Sequence, residues 1–410
     1  MMWSVRRPTV ALAGLVLLAS AVVTGVGAVA GGAEAPAAGA ARTVLGPGVL
    51  DGPGGIALSA DGNLFVADTG HCRVLVVPAR TGVLDGLRVR AGRASTLAGG
   101  SCTGPGALGH PSDVAVDTHG DVFIAEATAQ RVQEVRAGSH TAVTVAGTGT
   151  GGFNGDGPDA TASELDEPTG VAVNAAGDLF IADTANCRVR VVPAVTGTLF
   201  GLAVPAGGLF TVAGTGVCGS AGQGGPLRTA QLWNPVAVTL DAAGDLLVAD
   251  SGDQSVLLAP SGGSGTFYGS AVGDGDIGVV VGGTASYGPY LVDGLPANGP
   301  TAELNDPRGL AVGPTGALFV TDGFMHVIRV VPAVNGTLLG TVMKAGDLYT
   351  VAGAVPVANA AGTNDGTKWV RAHMGTPVGT AASATGALFY ADAVQDAVRV
   401  IGTGTGAGSS

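Results

Sequence analysis

Apolar positions fall in short runs that end in an acid. These are Leu-Phe-Val-Ala-Asp at 64–68, Val-Phe-Ile-Ala-Glu at 122–126, Leu-Phe-Ile-Ala-Asp at 179–183, Leu-Leu-Val-Ala-Asp at 246–250, Leu-Phe-Val-Thr-Asp at 318–322 and Leu-Phe-Tyr-Ala-Asp at 388–392. Each follows a proline-led apolar stretch and a Gly turn, as with Gly-Ile-Ala-Leu at 55–58, Gly-Val-Ala-Val at 170–173 and Gly-Leu-Ala-Val at 309–312. Each is followed by a Val-rich run, such as Arg-Val-Leu-Val-Val at 73–77 or Arg-Val-Arg-Val-Val at 188–192. The first five units then carry a fourth run of the type Thr-Val-Ala-Gly, at 96–99, 144–147, 211–214, 279–282 and 350–353. Runs of this length, rich in β-branched residues and bounded by Gly, Asp and Pro, are strands; no stretch of the repeat has helical period.

The terminal acids recur 57 to 72 residues apart, so the chain is an array of one supersecondary unit. Four strands per unit, six times over, predict an all-β fold: a six-bladed β-propeller of four-stranded antiparallel blades. The sixth unit lacks a fourth strand after Ile401, and Arg-Thr-Val-Leu-Gly at 42–46 is expected to supply it. Closing the ring with the N-terminal strand removes the open edge that a linear array would expose.

These residues resemble the NHL repeat, most fully in Gly170-Val-Ala-Val173 followed by Asp178-Leu-Phe-Ile-Ala-Asp183-Thr-Ala-Asn186-Cys187-Arg188. With the Thr-Val-Ala-Gly-Thr-Gly strand, the resemblance is to secreted bacterial and teneurin-like NHL proteins and covers residues 42–401. Cys72 and Cys187 stand where the family often has His. Resembling enzymes, the amidating lyase and the calcium lactonases, carry His, Glu or Asp ligands at the channel mouth, and no such set is evident in these first strands.

Residues 1–30 open with Arg6 and Arg7, run apolar without an acid, and end in Ala28-Val29-Ala30. That is the pattern of a cleaved signal peptide, with an uncleaved signal anchor as the alternative. The expected organisation is signal segment 1–30, linker 31–41, propeller 42–401 and a Gly/Ser tail 402–410. Secretion, or display through the uncleaved N-terminal segment, follows from that pattern. Glycine numbers 72 without a three-residue period, which excludes collagen, and 46% apolar residues exclude a disordered chain. The formal charge of −12, with only two lysines and no basic run, argues against nucleic acid as a partner.

The repeat also places the cysteines. The turn between the second and third strands and the end of the fourth strand fall on one face, so Cys72 is expected to pair with Cys102 and Cys187 with Cys218. Export favours that pairing; reduced core cysteines, or a metal site of Cys72, Cys102, His71 and His110, are the other readings. The acids Asp68, Glu126, Asp183, Asp250, Asp322 and Asp392 are expected to be structural, each holding the turn that follows it as an Asx-type acceptor. Candidate binding residues at the channel mouth are Asp113, Asp117, Asn174 and Arg308, Asp113 and Arg308 standing half a ring apart. No catalytic residue, metal ligand set or cofactor is assigned. Asn154 to Asp159 and Gly273 to Asp276 have Ca²⁺-like composition but lack EF-hand spacing, and are taken as turns. The expected role is a monomeric, non-enzymatic recognition module for a protein, peptide or glycan; the alternative is a propeller lyase or lactonase with a metal site at the channel mouth.

Overall fold

The computed structural model describes residues 41–84, 87–283, 292–353 and 374–402. The signal segment, all of the linker but Ala41, and the tail beyond Gly402 lie outside the described residues. Six sheets stand around a central axis. Blade 1 is built from Pro53–Leu58, Leu64–Asp68, Arg73–Val77 and Ser95–Gly99, and blade 2 from Pro111–Val116, Val122–Glu126, Arg131–Val135 and Ala142–Ala146. Blade 3 comprises Pro168–Val173, Leu179–Asp183, Arg188–Val192 and Phe210–Ala213, and blade 4 Pro235–Leu240, Leu246–Asp250, Ser255–Ala259 and Asp276–Gly282. Blade 5 comprises Pro307–Val312, Leu318–Asp322, Val327–Val331 and Asp347–Ala352. Blade 6 takes Pro377–Ala382, Leu388–Asp392 and Ala397–Ile401, and its outer strand is the N-terminal Ala41–Leu45.

That last pairing closes the ring in the register Ala41↔Ile401, Arg42↔Val400, Thr43↔Arg399 and Leu45↔Val398. The strand begins at Ala41, one residue before the expected boundary. Every second strand is buried along its whole length, because a blade is covered by a neighbour on both sides. The core is therefore six apolar wedges, one per blade interface. Phe180, Val191, Leu246 and Leu257 fill the wedge between blades 3 and 4, and Val44, Leu45, Val66, Leu75 and Val398 the wedge between blades 6 and 1.

The innermost strands touch one another around the axis. At their third position the approach is so close that a Cβ on Gly309 would lie 2.1 Å from Val378 O, and one on Gly170 2.6 Å from Val236 O. Glycine is required by contact at 170 and 309. Hydroxyls bind the blades to each other at the same level, Thr69 Oγ1 donating to Pro111 O and Thr321 Oγ1 to Val378 O, each at 2.8 Å.

One feature exceeds the four-strand expectation. Gly225–Pro226 and Leu295–Pro296 add a fifth strand to the outer edges of blades 4 and 5. On the face opposite the acids, two-stranded hairpins extend blades 1, 3, 4 and 5, such as Gly197–Leu199 with Leu202–Val204. Their apolar tips are used internally: Phe200 packs edge-on against Phe180 at 6.0 Å, and Tyr268 Oη donates to Gly316 O of the next blade.

Candidate ligand site at the channel mouth

The six acids all make the same bond, and its partner is distant. Each carboxylate accepts from a backbone N–H 17 residues upstream, in the loop that enters the blade: Asp68 from Asp51, Glu126 from Gly109, Asp183 from Asp166, Asp250 from Trp233, Asp322 from Asn305 and Asp392 from Gly375, at 2.7–2.9 Å. The expected bond to the following turn is present as well in blades 5 and 6, from Met325 N and Gln395 N. The correction has a simple reason. The entry loop crosses over the end of the second strand to begin the first, and its amides have no ladder partner there.

Buried carboxylates need compensation. Arg73 and Arg131, opposite the acid in the ladder, reach Asp68 and Glu126 at 2.7 and 3.0 Å. In blade 3 Arg190, further along the third strand and wholly buried, holds Asp183 at 3.2 Å and also Asp156 of the entry loop. Arg329 and Arg399 occupy the same strand position in blades 5 and 6, near Asp322 and Asp392. Burial nevertheless raises the carboxyls of Glu126 and Asp183, and pushes Asp322 and Asp250 up to about 7. Arg188 stacks on the Phe153 ring at 3.8 Å and donates to Asn186 O and Thr215 O.

On this acid-bearing face lie both disulfides, Cys72–Cys102 and Cys187–Cys218, spanning 30 and 31 residues. His110 is near the first, but bonded sulfurs are poor metal ligands, and no other group of three His, Cys, Asp or Glu ligand atoms converges among the described residues. In the loops of Ca²⁺-like composition, Asp156 accepts from Thr211 and Arg190, Asn154 from Glu164 N, and Asp274 from Gly263 N.

The axis is a cavity of about 690 Å³ walled by the innermost strands. Its wall is mostly Gly, Ala, Val and Leu, so the few polar groups stand out. Asp113 takes the ring position that is glycine in four other blades and alanine in blade 4. Its carboxylate accepts from Val171 N of blade 3 at 3.0 Å and Val114 N at 2.8 Å, while lying over Gly55 of blade 1. Enclosure in the channel pushes its pKa up to about 7 against those two bonds. Arg308, across the ring, lines the same cavity and is paired to Asp306. Asp117 and Asn174 are not brought there. They cap the turns at the far end of their strands, Asp117 accepting from His119 N and Asp121 N, Asn174 from Ala176 N and Asp178 N.

The mouth contains a further set of residues that the repeat pattern alone does not single out. The residue immediately before the first proline of each of blades 1 to 5 has positive φ: Gly52 at 52°, His110 at 52°, Glu167 at 50°, Asn234 at 62° and Asp306 at 69°. Glu167, Asn234 and Asp306, on consecutive blades, line the cavity opening. Left-handed backbone on a side-chain-bearing residue before proline costs on the order of 1–3 kcal/mol, and such strain gathers at binding sites. Beside them Trp233 and Phe324 are 52% and 65% exposed on the same face. The sequence displays a polar residue ahead of the first proline in several repeats, but not its conformation.

The fold defines a six-bladed propeller, and the repeat specifies which. The NHL repeat model matches residues 50–77 and 165–192, in blades 1 and 3. Blades 1 and 3 are thus NHL repeats within a six-bladed β-propeller. A stretch of 147 residues is 31% identical to Protein SUPPRESSOR OF QUENCHING 1, chloroplastic, of Arabidopsis thaliana; it is 34% of this chain and 14% of the plant protein, so the match spans about a seventh of that relative. Among solved structures, a protein of unknown function from Bacteroides thetaiotaomicron superposes with TM-score 0.57 at 16% identity, over 88% of this chain and 75% of that one. An auxiliary nutrient binding protein of the same bacterium gives 0.54 at 13% identity, over 86% and 69%. At these identities the likeness is one of fold.

Proposed function

We propose that this chain is an exported or surface-displayed, non-enzymatic recognition propeller that takes its ligand at the channel mouth on the acid-bearing face. The observation that carries this reading is the run of strained polar residues Glu167, Asn234 and Asp306 around the opening of the 690 Å³ cavity. Exposed Trp233 and Phe324 on the same face favour a ligand with both an apolar face and hydrogen-bonding groups, such as a sugar or a peptide side chain. Two disulfides and the signal-like residues 1–30 support export.

The enzyme reading rests on Asp113, a carboxyl of pKa about 7 within a cavity. A lyase or lactonase with a metal at the mouth would bring further ligands to that point, whereas Asp113 is occupied by two backbone amides. The test immobilises the exported protein on glycan and peptide arrays and assays esters and lactones in parallel. Binding lost in Asn234→Ala and Asp306→Ala, without turnover, is the expected result. Turnover abolished by Asp113→Ala would replace this reading with the enzymatic one.

A further inference from the structure

Five blades place an arginine near the buried acid that ends the second strand, and blade 4 does not. Ser255 stands in blade 4 at the ladder position of Arg73 and Arg131, facing Asp250 as those arginines face Asp68 and Glu126. The position of Arg190, Arg329 and Arg399 is Leu257. No basic side chain among the described residues pairs with Asp250, which is fully buried. One oxygen of Asp250 accepts from Trp233 N; the other is approached only by the Gln223 amide nitrogen, at 3.4 Å, and that nitrogen also lies 2.8 Å from Asp253 Oδ2. A neutral amide thus stands between two carboxylates, and an amide cannot cancel their charge.

A second observation is independent of the acids. The Ser255 hydroxyl is completely buried and has no hydrogen-bond partner. Cross-strand partners project to the same side of a sheet, so this hydroxyl shares the side on which Asp250 lies. A buried donor–acceptor without a partner costs about as much as a lost hydrogen bond and calls for an occupant.

We propose that blade 4 binds a hard cation, Ca²⁺ as the probe, in the space that arginine fills in the other blades. The donors are Asp250, Asp253, the Ser255 hydroxyl and the Gln223 side-chain carbonyl, turned inward by an amide flip. All four are oxygens, the donor class that Ca²⁺ prefers, with waters completing the shell. The ion neutralises both carboxylates and satisfies the hydroxyl. It sits within one blade, away from the channel, and is independent of what the channel mouth binds.

The test uses chelator-treated full-length exported protein, titrated with CaCl₂ by calorimetry and followed by thermal melting. Wild type should bind one Ca²⁺, and its Tm should rise by roughly 5 °C at a hundredfold excess over Kd. Ser255→Arg installs the missing arginine; it should raise the metal-free Tm and weaken Ca²⁺ binding at least a hundredfold. Asp253→Asn, at a half-exposed acid, should fold normally and weaken binding at least tenfold. Absence of binding by wild type at about 1 mM Ca²⁺, or unchanged binding by both variants, would overturn the proposal.

Discussion

Deleting residues 31–47 removes the outer strand of blade 6, and the structure sets the size of the effect. Val44 and Leu45 are each 7% exposed in the wedge between blades 6 and 1, and burial of such side chains is worth about 1.5–3 kcal/mol apiece. The deletion also uncovers Val398, Val400 and Ile401, now at most 1% exposed, and leaves the Ala397–Ile401 edge without its ladder partner. The combined loss is on the order of 6–10 kcal/mol, comparable with the whole stability of a domain. The expected outcome is a protein that melts far lower or aggregates through the bared strand. Leu45→Ala is the graded version, costing about 2–5 kcal/mol and lowering Tm by several degrees. Circular dichroism melting with size-exclusion chromatography reads both. A truncated monomer with the wild-type Tm would refute the closure of the ring by this strand.

Non-reducing peptide mapping of the purified, oxidised protein should give only Cys72–Cys102 and Cys187–Cys218; a Cys102–Cys187 peptide would contradict the structure. Replacing the Cys72–Cys102 pair by serine opens a loop of 30 residues and should cost roughly 3–4 kcal/mol, read by urea unfolding. Asp183→Asn leaves buried Arg190 with only the part-exposed Asp156 as charge partner and should destabilise by about 1.5–3 kcal/mol, whereas a change within about 0.5 kcal/mol would show the Asp183 pair to be dispensable. Asp113, Asp250 and Asp322 have folded pKa values of about 7 against 3.8 unfolded, so the folded state holds their protons more tightly. Their contribution to stability is therefore full below the unfolded value and is lost as pH rises through the folded one; Tm from a pH series should fall over that interval and Asp113→Asn should flatten the slope, while a rising Tm would invert the argument.

The parts of this molecule legible in sequence are those fixed by local repetition. Leu-Phe-Val-Ala-Asp reads as a buried strand wherever it occurs, and a sixth unit short of a strand beside an N-terminal Arg-Thr-Val-Leu-Gly implies closure. The cysteine pairing follows from the place of each cysteine in its unit. What is not legible depends on which segments meet in space. The amide that each acid captures lies 17 residues upstream, two residues before the first proline in a recurring Leu-x-x-Pro or Met-x-x-Pro stretch, and that spacing alone does not say that the two groups bond; Gly225–Pro226 joins a sheet without any strand-like composition. Asp117 and Asn174 suggest the mouth because they end innermost strands, yet a strand of six residues carries its two ends to opposite faces. The left-handed residues before proline escape for another reason: their backbone is dictated by the crossover, and the local sequence alone would favour extended backbone.

A crystallographic fragment screen tests the functional account most directly, because it works without an identified ligand. The account predicts that polar fragments cluster at the cavity opening, in contact with Glu167, Asn234, Asp306 or Arg308, and that the cluster disappears in Asn234→Ala/Asp306→Ala crystals. Fragments gathered instead on the hairpin face, with the mouth bare, would contradict it.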